Sequence, residues 1–214
     1  MKPGVPLAAY IADNLGTTAP TLNSSLAHTL LTRSPRHAFH EHPRLNLKWE
    51  EKADSRFDLG TAVHAVLLED RADLIVPVDA TDWRTNAAKA AREEARKEGK
   101  IALLAEQADR VLEMTAIAMR KLVESPDLKD LGFLAAEQTC VWQDGVTWLR
   151  CRPDWVTADR KIIISYKTTA VSAKAETFAR TIDNLGYDLQ ATFERRGVEA
   201  TTGPLGSGLA TAVG

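Results

Sequence analysis

The segment RPDWVTADRKIIISYK, residues 152–167, sets an acid and a base where phosphodiester chemistry could use them. Hydrolysis of a phosphodiester needs an activated water and stabilisation of negative charge. A hard divalent cation held by carboxylates supplies both. Asp154 ends one strand-like segment and Lys167 ends the next. An ammonium at Lys167 could orient the attacking water or offset charge on the phosphate. Glu137 opens the preceding strand and could reach the same end of the sheet, and His64, on a helix, could add a nitrogen ligand. Ser165, two residues before the lysine, stands where a metal-dependent site of this kind would want a second carboxylate. Each residue also has a plainer reading. His64 could be packed or surface-facing, Asp154 an ordinary strand end, Lys167 a strand terminus and Gln190 a surface amide. Glu137 could simply pair with Arg152 across a hairpin.

The elements that must position these groups follow from periodicity. Residues 21–25 offer caps for a short helix from Leu26 to Thr32, closed by Ser34-Pro35. Residues 36–54 read as loop. A strong helix spans Leu59 to Glu69, with Leu59, Val63, Val66 and Leu67 near one face and Asp58 as its cap. Gly60 and His64 share a face there. Leu74 to Val78 reads as a short strand. A long helical region from Asn86 to Glu124 is broken or bent near Gly99 and ended by Pro126; Leu103, Leu104, Val111, Leu112, Met114, Ala118, Met119 and Leu122 give its apolar side. The period then changes to two. Glu137 to Gln143 alternates, Asp144-Gly145 signals a tight turn, and Val146 to Val156 alternates again. With a two-residue turn, Gln143 opposes Val146 and Glu137 opposes Arg152, leaving Cys140 and Cys151 diagonal on one face as packed thiols. A turn near residues 158–160 leads into Lys161–Lys167, which completes a three-stranded antiparallel meander. Ile163, Ser165 and Lys167 share one face of that last strand. Ser172 can cap a helix through Phe178 and Ile182 that stops at Gly186. A last helix from Tyr187 to about Arg195 sets Tyr187, Gln190 and Ala191 together.

A chain of 214 residues with 44% hydrophobic residues has the size of one domain, residues 1–200. The uncharged end, 201–214, is expected to be a disordered tail. No apolar run is long enough to cross a bilayer, and the N-terminus lacks the pattern of a signal peptide. Two cysteines make no disulfide framework, so a cytoplasmic, reduced protein is expected. The net charge of -2, from 27 basic and 29 acidic residues, announces no nucleic-acid binder, although a local basic cleft would suffice. Arg84, Lys89, Arg92, Arg96, Lys97 and Lys100 form one basic run, diluted by glutamates and best read as a solvated helix. Arg150, Arg152, Arg160, Lys161 and Lys167 form another, nearer the site.

Taken in order, SSLAHTLLTRSP, FDLGTAVHAVLLE, RPDW, KIIISYKTT and GYDLQATF resemble the RecE-like phage exonucleases, the exodeoxyribonuclease VIII type. These form part of the RecB-like branch of the PD-(D/E)xK nuclease superfamily. The resemblance covers residues 22–195. It implies a restriction-endonuclease-like α/β core, with a mixed central sheet flanked by helices. It implies metal binding by Asp154, His64 and Glu137, a catalytic Lys167, and a Tyr187–Gln190 pair close to the DNA end or the metal. It further implies Mg2+, with Mn2+ as substitute, and linear double-stranded DNA ends as substrate. A single-strand annealing protein and a ring-like homo-oligomer are the implied partners. Ser165 departs from the pattern, which places an aspartate or glutamate there as a direct metal ligand. Glu176 and Asp159 are the nearby carboxylates, and neither has the required strand position. Two functions therefore stand side by side: a metal-dependent exodeoxyribonuclease-like domain impaired at Ser165, and an inactive module that binds DNA ends or a partner.

Overall fold

The computed structural model describes residues 1–50, 58–128, 132, 136–169 and 174–203. The cap expected at Ser172 and the tail from residue 204 onward lie outside them. The chain forms two compact units, one from Met1–Glu51 with Gly132–Gly214, the other from Lys52–Leu131.

The first unit opens with helix α1 (Leu7–Ile11), a two-residue strand β1 (Thr21–Leu22) and helix α2 (Ser24–Thr32). Asn23 caps α2 by accepting from the Leu26 amide, within the stretch expected to supply the cap. Ser34 then does more than close α2. It caps a further helix, α3 (Pro35–Glu41), in a stretch expected to be loop. Proline at the first position suits a helix start, because its missing N–H would have had no partner there.

The second unit begins with helix α4 (Asp58–Glu69), in which Ala62 and Val63 are fully buried and Leu67 and Leu68 nearly so. Strand β2 (Ile75–Val78), helix α5 (Asn86–Lys97) and strand β3 (Ile101–Leu104) form a parallel crossover unit, followed by helix α6 (Ala105–Glu124). Gly99, at φ 69°, does break the expected long helix. The next element is β3 rather than more helix, because Ile101–Leu104 pairs along the whole of β2. Leu103 therefore serves the sheet. The buried stripe of α6 is Ala108, Val111, Thr115 and Ala118, and Leu112 and Met119 are exposed instead of facing inward. Helix α5 buries only Ala88 and Ala95 and turns most of its charged residues outward, as a solvated helix does.

The first unit resumes with strands β4 (Cys140–Asp144), β5 (Thr147–Cys151), β6 (Trp155–Val156) and β7 (Ile163–Ile164), then helices α7 (Ala175–Leu185) and α8 (Tyr187–Thr202). Strand β5 is central in a mixed three-stranded sheet, parallel to β1 on one side and antiparallel to β4 on the other. The tight turn is Gly145-Val146, since Asp144 stands opposite Thr147. The register is thus two residues from that expected. Cys140 lies directly opposite Cys151 rather than diagonal to it, and both are buried free thiols. A shift of two preserves which side chains face the core, so the alternation alone could not fix it. Strands β6 and β7 form their own antiparallel ladder, so the expected continuous meander is two separate pairs. Pro153, without an N–H to give, lies between β5 and β6.

Helix α8 runs to Thr202, beyond the expected end near Arg195, and lies across β4 and β5. Val198 joins Cys140, Trp142, Leu149, Cys151, Val156 and Ile163 in one apolar cluster. Gly197 permits this closeness: a Cβ there would collide with the Cys151 thiol and lie 2.8 Å from the Trp142 ring. Gly186, at φ 65°, ends α7 in the left-handed conformation and lets α8 begin at the next residue.

Candidate functional site

The β6–β7 ladder sets the chemistry. Trp155 pairs with Ile164, and continuing that register by one step puts Asp154 opposite Ser165. Asp154 is buried, and its carboxylate accepts the backbone N–H of Tyr166. That bond ties the acid to the segment carrying Ser165 and Lys167. Glu137 does not open strand β4. It precedes the strand in a turn, at φ 52°, and its backbone N–H donates to the Asp154 carbonyl at 2.9 Å. The carboxylates of Glu137 and Asp154 bring oxygens within 4.8 Å of each other. Arg152 donates to Glu137 at 3.1 Å, so the pairing expected across the hairpin forms, although the two residues are not directly opposite.

Lys167 is half-buried, with its ammonium 5.5 Å from the centre of the Tyr187 ring. Such a cation over an aromatic face is electrostatically favoured. Phe178 packs beside Tyr187, with ring centres 6.2 Å apart. Together with Ser165 and Gln190 these residues line part of a mostly apolar cavity of about 140 Å3.

The hydroxyl of Ser165 donates to Glu194 Oε2 at 2.7 Å, and Gln190 donates to Glu194 Oε1 at 2.6 Å. Glu194 is 2% exposed. Burial pushes its carboxyl up to about 7, the nearby Asp154 adds to the rise, and the bonds from Ser165 and Gln190 and the charge of Lys167 oppose it. Gln190 is therefore no surface amide. Sequence reasoning missed Glu194, yet a signal was present: it lies four residues after Gln190, on the same helical face.

His64 is half-buried on α4, in the second unit. The expected basic residues are for the most part engaged in other contacts. Arg150, expected as a DNA contact, is 2% exposed, and its guanidinium pairs with Asp13 at 2.9 Å and donates to Thr21, tying the N-terminal segment to β5. Asp13 also accepts from the Thr21 amide and hydroxyl, which accounts for its own burial. Arg152 is largely withdrawn as well, bonded to Glu137, Thr139 and the Val5 carbonyl. Lys161 is exposed beside Asp159. Neither alternative carboxylate serves the site: Glu176 is exposed on α7, and Asp159 accepts from Thr157 and the Lys161 amide to hold the β6–β7 turn.

Pro153-Asp154 and Ser165-Tyr166-Lys167 thus meet across adjacent antiparallel strands, in the order that the letters PDDEXK spell except at Ser165. A family model for a PDDEXK-like domain of unknown function, DUF3799, matches residues 26–213. The chain belongs to this PDDEXK-like family. Its mixed sheet and helices are consistent with a PDDEXK-like fold, which is of nuclease type. No curated protein matches the chain. Among the described residues no helix is long and apolar enough to cross a membrane. The donor set suits a hard divalent cation, since two carboxylates lie close together while both thiols face the apolar cluster.

Proposed function

We propose that the domain is a metal-dependent exodeoxyribonuclease acting on linear double-stranded DNA. The close approach of Glu137 and Asp154, with Lys167 on the segment tied to Asp154, is the observation that carries this reading. Asp154 and Glu137 would hold the cation, and His64 is the third ligand that the resemblance supplies. A bound Mg2+ or Mn2+ would lower the pKa of a coordinated water and neutralise developing charge. Lys167 aligns the attacking water and offsets charge on the phosphate. Attack in line with the leaving 3′ oxygen breaks that P–O bond, leaving a 5′-phosphate product and a 3′ hydroxyl, with nothing covalent formed on the protein. Tyr187, Gln190 and the apolar cavity beside Lys167 offer a surface for the terminal nucleotide. Lys161, exposed near the β6–β7 turn, is the remaining basic candidate for a phosphate contact. The resemblance adds a single-strand annealing protein and a ring-like oligomer as partners, and a place in phage recombination in the cytoplasm.

The second reading, a non-cleaving module for DNA ends or a partner, is favoured by Ser165 alone. Release of nucleotides from linear and closed circular duplex DNA, with Mg2+ and with Mn2+, separates the two. Metal-dependent release from the linear form, abolished by Asp154→Asn, supports the nuclease. Salt-sensitive DNA binding that ignores metal, without release, supports the module.

A further inference from the structure

Ser165 leaves the site one carboxylate short by sequence, yet the volume next to its side chain is filled by another carboxylate. Glu194 reaches in from α8 and accepts the Ser165 hydroxyl at 2.7 Å. Its second oxygen is fixed by Gln190 at 2.6 Å. A glutamate 2% exposed, with two neutral donors and no arginine or lysine in hydrogen-bonded contact in these bonds, is costly to bury as an anion. The close contacts of α8 with the sheet are made by Gly197 and Val198 rather than by this acid. The side chain shares its surroundings with Asp154 and Lys167, the two residues that most define the site. A serine at 165 is small enough to admit the Glu194 carboxylate, whereas an aspartate would set two carboxylates in contact.

We propose that Glu194 replaces the acid missing at Ser165, the two side chains forming one composite acidic group for the divalent cation held at Asp154 and Glu137. The replacement moves the charge from the strand to helix α8 and leaves it hydrogen-bonded to the strand position it replaces. Ser165 becomes the fixed hydrogen-bond donor that aims the Glu194 carboxylate, and Gln190 holds its far oxygen. This inference rests on the reading of Asp154 and Glu137 as cation ligands. It also reverses a simple expectation for Ser165→Asp. That change alone crowds two carboxylates together and does not improve the site, whereas Ser165→Asp with Glu194→Gln returns one acid to the strand.

The test is Mn2+ binding to the full chain by calorimetry, without DNA, for the wild type, Asp154→Asn, Glu194→Gln, Ser165→Asp and the Ser165→Asp/Glu194→Gln double variant. Circular dichroism checks that each is folded. The expected result is a loss of about 10–100-fold in affinity for Glu194→Gln, as for other groups that orient or supplement metal ligands. The double variant recovers most of that loss, and Ser165→Asp alone binds no better than the wild type. Unchanged affinity in Glu194→Gln with a large loss in Asp154→Asn overturns the composite group and leaves the metal site standing. Tighter binding by Ser165→Asp alone than by the double variant also overturns it. Absence of Mn2+ binding in the wild type overturns both the composite group and the metal-dependent reading beneath it. Should Glu194→Gln not fold, the double variant against Ser165→Asp decides the matter.

Discussion

Glu194→Gln tests the electrostatics of the site without any metal. The buried carboxyl is raised from 4.5 to about 7, chiefly by loss of water around the charge. A folded-state value above the unfolded one means that the native protein holds the proton more tightly. The associated stability is therefore fully present below about pH 4.5 and is lost as the pH rises through about 7. At about 1.4 kcal/mol per pH unit the whole effect is on the order of 3 kcal/mol, most of it between pH 5 and pH 8. Glutamine has nearly the same shape, still accepts from Ser165 or Gln190, and does not titrate. The assay is urea unfolding in the presence of a chelator, at pH 5 and pH 8, for both proteins. Tryptophan fluorescence is a suitable probe, since Trp142 packs edge-on against Phe193 of α8 at 6.3 Å. Other titrating groups are common to both proteins and cancel in the comparison. The wild type should lose about 2–3 kcal/mol more than the variant over this range, and the variant should be the more stable protein at pH 8. Parallel pH profiles for the two proteins would refute the burial of an ionisable charge at this position. Set beside the expected loss of Mn2+ affinity in the same variant, a gain in metal-free stability is what an acid retained for binding would produce.

Lys167→Ala should lower nucleotide release by at least about 100-fold while shifting the unfolding midpoint little, because the side chain is half-exposed and stabilises charge rather than the core; wild-type release from this variant would remove the lysine from the reaction. Arg150→Ala should destabilise by about 3 kcal/mol in urea unfolding, since it removes the nearest cation from the buried Asp13 carboxylate and leaves Arg44 at 3.6 Å. An unchanged midpoint accompanied by a flatter salt dependence of DNA binding would return Arg150 to the role of a DNA contact. Gly197→Ala should cost about 1–3 kcal/mol, because the added methyl meets the Cys151 thiol and the Trp142 ring; a neutral effect in the same unfolding assay would show that α8 can lift from the sheet at no cost.

Elements whose signals are local were legible along the chain alone. The helix around Val63 follows from apolar spacing. The hairpin around Gly145 follows from alternation and a turn, and the stop at Gly186 from the left-handed conformation that glycine accepts. Pro153-Asp154 and Ser165-x-Lys167 were legible for the same reason, since a motif along one chain needs no knowledge of its neighbours. Tertiary structure decided what depends on partners. Ile101–Leu104 is a strand because β2 lies beside it, and no property of those four residues alone separates strand from helix. The hairpin register was ambiguous by two residues because that slip leaves every side chain on its own face. Arg150 looks like any basic residue near a site until Asp13, far off in the chain, is seen to neutralise it. Glu194 was hidden for the same reason. Its significance lies in the 2.7 Å to Ser165, a distance between strand segment and helix that exists only once α8 has packed across the sheet.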